Sequence, residues 1–260
     1  MADQNNIIEL TQEEFDHGEL SFPANMVIVE MTHSNDLKVS KGGIIVGVLE
    51  RVIHADNTDS NLKADLEEVY GTVVRVPDSL YFNEEDNSSM EYVTEMELQV
   101  GDQCWMSIME AHSSLTLRTP EHTYKVIPYA DIYVAKREIF VDEKDNWVGK
   151  KTHKVVVLNG NCLCQTTNKT KISELDVVSE GQIDTTRAIV KYIGKPITHY
   201  KNPTYVDHPD LKENDVVLLS PRVPFLMLER KKYFANFDGD NLYVVIPRRK
   251  ISAVLKREER

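Results

Sequence analysis

Apolar and β-branched positions recur in short runs along the whole chain. The first half carries Met26-Val27-Ile28-Val29, Gly71-Thr72-Val73-Val74, Cys104-Trp105-Met106, Val126-Ile127-Pro128 and Asp131-Ile132-Tyr133-Val134. The second carries Val155-Val156-Val157-Leu158, Ala188-Ile189-Val190, Val216-Val217-Leu218-Leu219, Tyr243-Val244-Val245-Ile246 and Ile251-Ser252-Ala253-Val254-Leu255. Polar or Gly, Pro, Asn and Asp segments separate them, as expected of short buried strands. One short helix is predicted where Leu62, Leu66 and Val69 share a helical spacing that ends at Gly71. Strands at this density predict an all-β barrel or sandwich.

The two halves resemble each other. Val100-Gly101-Asp102 precedes one buried run, and Glu213-Asn214-Asp215 precedes another, 113 positions later. Gly101 and Asn214 are residue types that tolerate positive φ at such a turn. Ile127-Pro128-x-x-Asp131-Ile132 matches Ile246-Pro247-x-x-Lys250-Ile251 at an offset of 119. A repeat of that length is a duplicated domain rather than a solenoid unit; chance likeness between strands is the plainer alternative. A polar, turn-like stretch, Val141–Asn146, lies in the expected connection. The predicted organisation is a polar arm over 1–20, a domain over 21–137, a linker over 138–153 and a second domain over 154–260.

Length and composition fit this. The chain has 260 residues, 41% hydrophobic and 28% charged, enough for two domains with real cores. Its charge is uneven. Met1–Gly149 holds 10 basic and 29 acidic residues, and Lys150–Arg260 holds 20 and 13, so −19 and +7 make up the net −12. Such asymmetry predicts two domains with different neighbours, or two that attract each other. No apolar run approaches the roughly 18–20 residues of a membrane helix. Met1–Asn5 lacks a secretory signal's basic start, and three cysteines do not form a disulfide framework. The expectation is a cytoplasmic or otherwise reducing intracellular location, away from membranes.

Residues 24–137 carry an ordered series: a first strand, Met26–Glu30, then polar Thr32–Lys41, then Gly42-Gly43-Ile44-Ile45-Val46, followed by Gly71–Val76, Val100-Gly101-Asp102 and Tyr124–Val134. In that order the first half resembles a GroES-type co-chaperonin, the ring that caps a chaperonin chamber. Gly42–Val46 is similar to the Gly-Gly-hydrophobic segment of that family's mobile loop. Gly71–Val76 resembles the strand after the loop, Val100-Gly101-Asp102 the "VGD" turn, and Tyr124–Val134 the closing strands. Ala188–Gly194, Asp207–Leu219 and Leu242–Leu255 extend the likeness to residues 154–256. The resemblance implies two small β-barrel domains in tandem and a non-catalytic co-chaperonin subunit without cofactors. It implies a homo-oligomeric ring on a nucleotide-bound double-ring chaperonin, contacted by Gly42, Gly43, Ile44, Ile45 and Val46. A simple turn at Gly42-Gly43 followed by a core strand is the plainer alternative. The sequence departs from the pattern in its long Val48–Tyr70 and Pro77–Glu97 segments. It also has no glycine pair in Asn161–Gln182, which is read as a polar loop holding two reduced thiols, Cys162 and Cys164.

Other chemistry is set aside. Cys162-x-Cys164 with upstream His153 lacks the remaining ligands of a zinc site. His199 and His208 flank a turn-like Asp207-His208-Pro209-Asp210, and His112 and His122 have no nucleophile motif beside them. No GxSxG, P-loop or GxGxxG occurs. The Arg230-Lys231-Lys232, Arg248-Arg249-Lys250 and Lys256-Arg257 clusters, near Tyr233, Phe234 and Tyr243, read as solvated strand ends in preference to a single-strand nucleic-acid surface. The alternative function is a structural or assembly protein, such as a virion component, that keeps the barrel for subunit packing alone.

Overall fold

The computed structural model describes residues 7–17, 22–31, 38–39, 45–46, 70–107, 113–141, 150–168, 183–219 and 243–255. They form a mostly β protein with two larger sheets and one short helix. The strands are β1 (Ile7–Glu9), β2 (Met26–Met31), β3 (Lys38–Val39), β4 (Ile45–Val46), β5 (Tyr70–Arg75), β6 (Gln103–Met106), β7 (Leu115–Arg118), β8 (Thr123–Pro128) and β9 (Ile132–Val141). The chain continues through β10 (Lys150–Val157), β11 (Asn161–Asn168), β12 (Ile183–Ile193), β13 (Val216–Leu219), β14 (Tyr243–Pro247) and β15 (Ile251–Leu255). The helix, α1, is Gln12–His17.

The first sheet runs β1-β7-β8-β2-β5-β6-β9-β10, and the second runs β14-β11-β12-β13-β15. Within the first, β8-β2-β5-β6-β9 repeats the order of the second, strand for strand. Registers repeat too. Val27 faces Ile127 as Cys162 faces Ile246. Cys104 faces Ala135 as Val217 faces Val254. We call these five-strand sets the first and second units.

Two local devices recur in both. Gly101 (φ 91°) and Asn214 (φ 68°) each hold the left-handed turn before a strand. Gly101 N–H donates to Val73 O and Val73 N–H to Asp102 O, both at 2.8 Å. Asn214 N–H likewise donates to Val190 O at 2.7 Å, and Val190 N–H to Asp215 O at 2.9 Å. The aspartate after each turn also accepts a backbone N–H, from Gln99 or Lys212, at 2.9 Å. Pro128 and Pro247, both extended, each lead into a 3-10 turn, Tyr129–Asp131 or Arg248–Lys250. Each proline ends its strand because it offers no ladder N–H.

The all-β expectation holds at this level; the finer expectation of two small β-barrels is not shown. Among the described residues neither sheet closes on itself. The outer edges of β8 and β9, which would have to meet, pair with β7 and β10 instead. In the second unit β14 and β15 stand at opposite ends of the sheet. The expected linker region also contains paired strand: Glu138–Val141 of β9 lies against Lys150–His153 of β10. The predicted helix over Leu62–Val69 lies outside the described residues.

Period-two alternation sorts the side chains onto two faces. Val27, Val29, Val73, Cys104, Met106, Ile127 and Ile132 fill the first unit's interior, joined by Leu158, Ile197 and Tyr200 from the second half. Cys162, Cys164, Ala188, Val190, Val217, Val244 and Ile246 fill the second unit's. The opposite face of the first unit carries Ile28, Leu117, Tyr124 and Val126, and there the arm docks. Thr11 and Glu14 form a capping box: Glu14 N–H donates to Thr11 Oγ1 at 3.1 Å and Thr11 N–H to Glu14 Oε2 at 2.7 Å. Phe15 of α1 stacks on Tyr124 with centroids 4.0 Å apart.

Asp102 is buried and takes a two-pronged ion pair from Arg137, at 2.8 and 2.7 Å. Its counterpart Asp215 keeps the turn hydrogen bond but is only partly buried. Asp102→Ala is therefore expected to cost about 3 kcal/mol, because it strands a half-buried guanidinium. Asp215→Ala is expected to cost about 1 kcal/mol. Urea denaturation of both variants measures the difference.

Candidate functional surface

Each unit sends out a long segment at the same place. In the first, β2 ends at Met31 and β5 returns beside it, with Met31 paired to Gly71. In the second, β11 ends at Asn168 and β12 returns with Asn168 paired to Ile183. Strand pairing thus fixes both exits, whatever the sequence between them. Gly71 allows the close return: an added Cβ would lie 2.6 Å from Val29 Cγ1 and against the Glu30 carbonyl. At the same end, Glu30 Oε1 meets His122 Nδ1 at 2.7 Å.

Gly42, Gly43 and Ile44 lie outside the described residues. Ile45 and Val46 form β4, which pairs antiparallel with β3: Lys38 with Val46 and Val39 with Ile45. This two-stranded ribbon is separate from both larger sheets. Ile45 and Val46 therefore belong to a two-stranded ribbon that falls between β2 and β5 in the chain, not to a strand of either main sheet.

A second surface joins the units. The acidic Pro77–Glu97 segment lies against residues 195–201, with an antiparallel bridge between Tyr92 and Tyr200. Lys195 Nζ reaches Glu95 at 3.0 Å and Glu97 at 3.8 Å. His199 Nε2 meets Glu84 at 2.8 Å, and Lys201 Nζ donates to the Asp86 carbonyl at 2.7 Å. Burial pushes the Glu97 carboxyl above its ordinary pKa, and Lys195 pulls it back. The charge asymmetry of the halves is thus used, in part, inside the chain. These exposed ion pairs add little stability individually; they set which surfaces meet.

The residues set aside from the sequence fall into structural places. Cys162 and Cys164 are not in a loop. They are alternate, fully buried residues of β11 that face the second unit's interior. Burial pushes the Cys162 thiol up to about 12 and Cys104 and Cys164 well above the ordinary thiol value. His208 contributes its carbonyl to Arg248, which is 3% exposed and also bonds the Gly194 and Pro209 carbonyls. Arg248 is therefore committed to holding the corner, and Arg249 lies over the Tyr200 and Tyr205 rings at 5.7 and 5.4 Å. Asp207 is buried and accepts the Ile197 N–H and Tyr200 O–H at 2.7 and 2.6 Å. His153 is exposed on β10. His112, Arg230–Lys232, Lys256 and Arg257 lie outside the described residues. Among the described residues no cluster of three His, Cys, Asp or Glu side chains could hold a metal, and no helix is long and apolar enough to cross a membrane.

Sequence reasoning missed Phe15. The signal was present in Thr11-x-x-Glu14, a capping box that announces a helix start. It also missed the apolar contact between the units, since strand patterning does not say what covers each face.

Compared with protein families, with curated proteins and with solved structures, the chain matches none.

All three thiols are expected to be unreactive in the folded protein. A thiol-exchange reagent at pH 8 should label none of them within minutes, and all three after denaturation. Rapid native labelling of Cys162 or Cys164 would contradict their placement in β11.

Proposed function

We propose that the chain is a co-chaperonin subunit: two GroES-like units that cap a nucleotide-bound double-ring chaperonin as part of a homo-oligomeric ring, without catalysis or cofactor. The observation that carries this reading is the pairing of β2 with β5, Met31 with Gly71, which brackets the stretch of sequence holding Gly42–Val46. The segment holding these residues leaves the first unit between two paired strands of a duplicated β unit. It also carries the Gly-Gly-hydrophobic pattern expected at that point. The repeated five-strand order supports the tandem organisation that the ordered motifs imply.

The physical mechanism follows from what a lid must do. It closes a chamber and releases it in step with its partner's nucleotide, so each contact has to be specific but weak. A glycine-containing segment loses entropy on docking, which offsets part of the contact energy. Ile44, Ile45 and Val46 supply that energy, at about 1.5–3 kcal/mol for each buried aliphatic side chain before ordering costs. Several copies in one ring restore avidity. Three reduced, buried thiols suit the cytoplasm or another reducing compartment.

One observation favours a second reading. The corresponding segment of the second unit, between β11 and β12, has no glycine pair. A structural or assembly protein, such as a virion component, would use the units for packing and need no docking segment in either.

ATP-dependent co-sedimentation with a double-ring chaperonin separates the two. Wild-type protein is expected to bind only with nucleotide, and an Ile44→Asp, Ile45→Asp variant is expected to lose binding while keeping its fold and oligomeric state. Undiminished capping by that variant would overturn the assignment of the segment. Failure of the folded wild type to bind any chaperonin, including that of its host, would favour the assembly reading.

A further inference from the structure

The two units do not simply sit side by side. The first lays one face on the second, and the matching positions show what is left over. Trp105 and Val134, with Val157 of β10, pack in one buried cluster with Leu163, Tyr243 and Val245 of the second unit. We term the Trp105–Val134 surface the donor face and the Leu163–Tyr243–Val245 surface the acceptor face. Each unit has both, because the registers repeat. Leu163 faces Val245 and Gln165 faces Tyr243; in the first unit Ile28 faces Val126 and Glu30 faces Tyr124. Trp105 faces Val134, and in the second unit Leu218 faces Ala253.

The chain therefore has a spare acceptor face on its first unit and a spare donor face on its second. The spare acceptor face is covered. Phe15 of α1 lies in the cluster of Ile28, Tyr124 and Val126, stacked on Tyr124. Arg75 lies over the Phe15 ring at 5.1 Å and its Nη2 donates to the Phe15 carbonyl. The spare donor face is partly bare: Leu218 and Ala253 are half-buried, and Leu255, beside Val216, is 43% exposed.

We propose that α1 is a removable plug: it occupies on the first unit the face that the first unit itself occupies on the second. Its release opens that face to the Leu218–Ala253–Leu255 surface of a second copy of this chain. The occupant is a second copy because this chain already makes the same face-to-face contact within itself. Charge points the same way, since the acceptor belongs to the acidic half and the donor to the basic one. The contact is heterologous, so it propagates from copy to copy into a ring or a filament. α1 spans six residues. Phe15 stacks on Tyr124 under Arg75, whose guanidinium bonds the Phe15 carbonyl, and Gln12 hydrogen-bonds Tyr124. β1 just before it is tethered to β7, with Leu10 N–H donating to Arg118 O at 2.8 Å. A short helix of this kind has little stability of its own away from the sheet. The apparent strength of self-association is then the intrinsic strength multiplied by the fraction of chains whose plug is out.

This inference deepens the ring assembly invoked under the co-chaperonin reading, but its test contains no chaperonin, so either can fail alone. Sedimentation velocity over a concentration series is compared for wild type, Phe15→Asp and Phe15→Asp with Leu255→Asp. Phe15→Asp is expected to tighten self-association about tenfold or more, since a buried aspartate beside Tyr124 cannot hold the plug. Adding Leu255→Asp should reverse the gain in a homogeneous sample. Mixed with wild type, that double variant should form one-to-one pairs, because it keeps an open acceptor and wild type keeps a donor. A peptide of residues 7–17 should suppress the association of Phe15→Asp, and the same peptide with Phe15→Asp should not. Circular dichroism and the melting temperature establish that each variant is folded. A folded Phe15→Asp chain that associates no better than wild type would overturn the proposal. So would a gain indifferent to Leu255→Asp, or wild-type peptide without effect. If Phe15→Asp unfolds, Phe15→Ala is measured in its place against the same expectations.

Discussion

The buried cluster that Trp105 and Val134 share with Leu163, Tyr243 and Val245 determines how the halves of this protein are arranged. Trp105 is 1% exposed and Val134 and Leu163 are fully buried, so the contact is a dry core rather than a domain surface. Burying an aromatic ring among aliphatics contributes on the order of 2–3 kcal/mol. A single anchor of that size outweighs the exposed ion pairs around it. Polar pairing at Lys195–Glu95, Lys195–Glu97 and His199–Glu84 then sets the orientation. The β9–β10 hairpin completes the junction by continuing the first sheet into the start of the second half.

Among the described residues neither sheet closes on itself. Closing the first unit would require its two outer strands to meet. Their edges are instead occupied, by β7 on one side and by β10 on the other. Unit-to-unit packing covers the other face of the sheet, where Trp105 and Val134 meet Leu163, Tyr243 and Val245. On the first unit the matching face, Ile28, Tyr124 and Val126, is covered by Phe15 of α1.

Much of this was legible in the residues. Period-two alternation located Met26–Val29, Val73, Cys104–Met106, Val216–Leu219 and the later strands. The Gly101–Asn214 and Pro128–Pro247 matches announced the duplication through turn chemistry that glycine, asparagine and proline perform for stated reasons. β11 was hidden because Cys162 and Cys164 run straight into polar Gln165, Thr166, Thr167 and Asn168 (a small apolar thiol reads as polar beside them). α1 was hidden because its six residues are all polar except Phe15, the one apolar side chain it lays on the sheet. Closure was not legible at all, since which edges pair depends on contacts between residues far apart in the chain. The candidate docking residues stand differently. Ile45 and Val46 pair with Val39 and Lys38 in a separate two-stranded ribbon, while Gly42, Gly43 and Ile44 rest on the sequence pattern.

The claim that the two units are locked face to face is tested most directly by native-state hydrogen exchange on wild type and Trp105→Ala. Removing the ring should cost about 3–5 kcal/mol. The account predicts that protection falls by similar amounts at β6, which carries the tryptophan, and at β11 and β14, which carry its partners. Loss of protection confined to β6 and its neighbours in the first unit, with β11 and β14 unchanged, would contradict it.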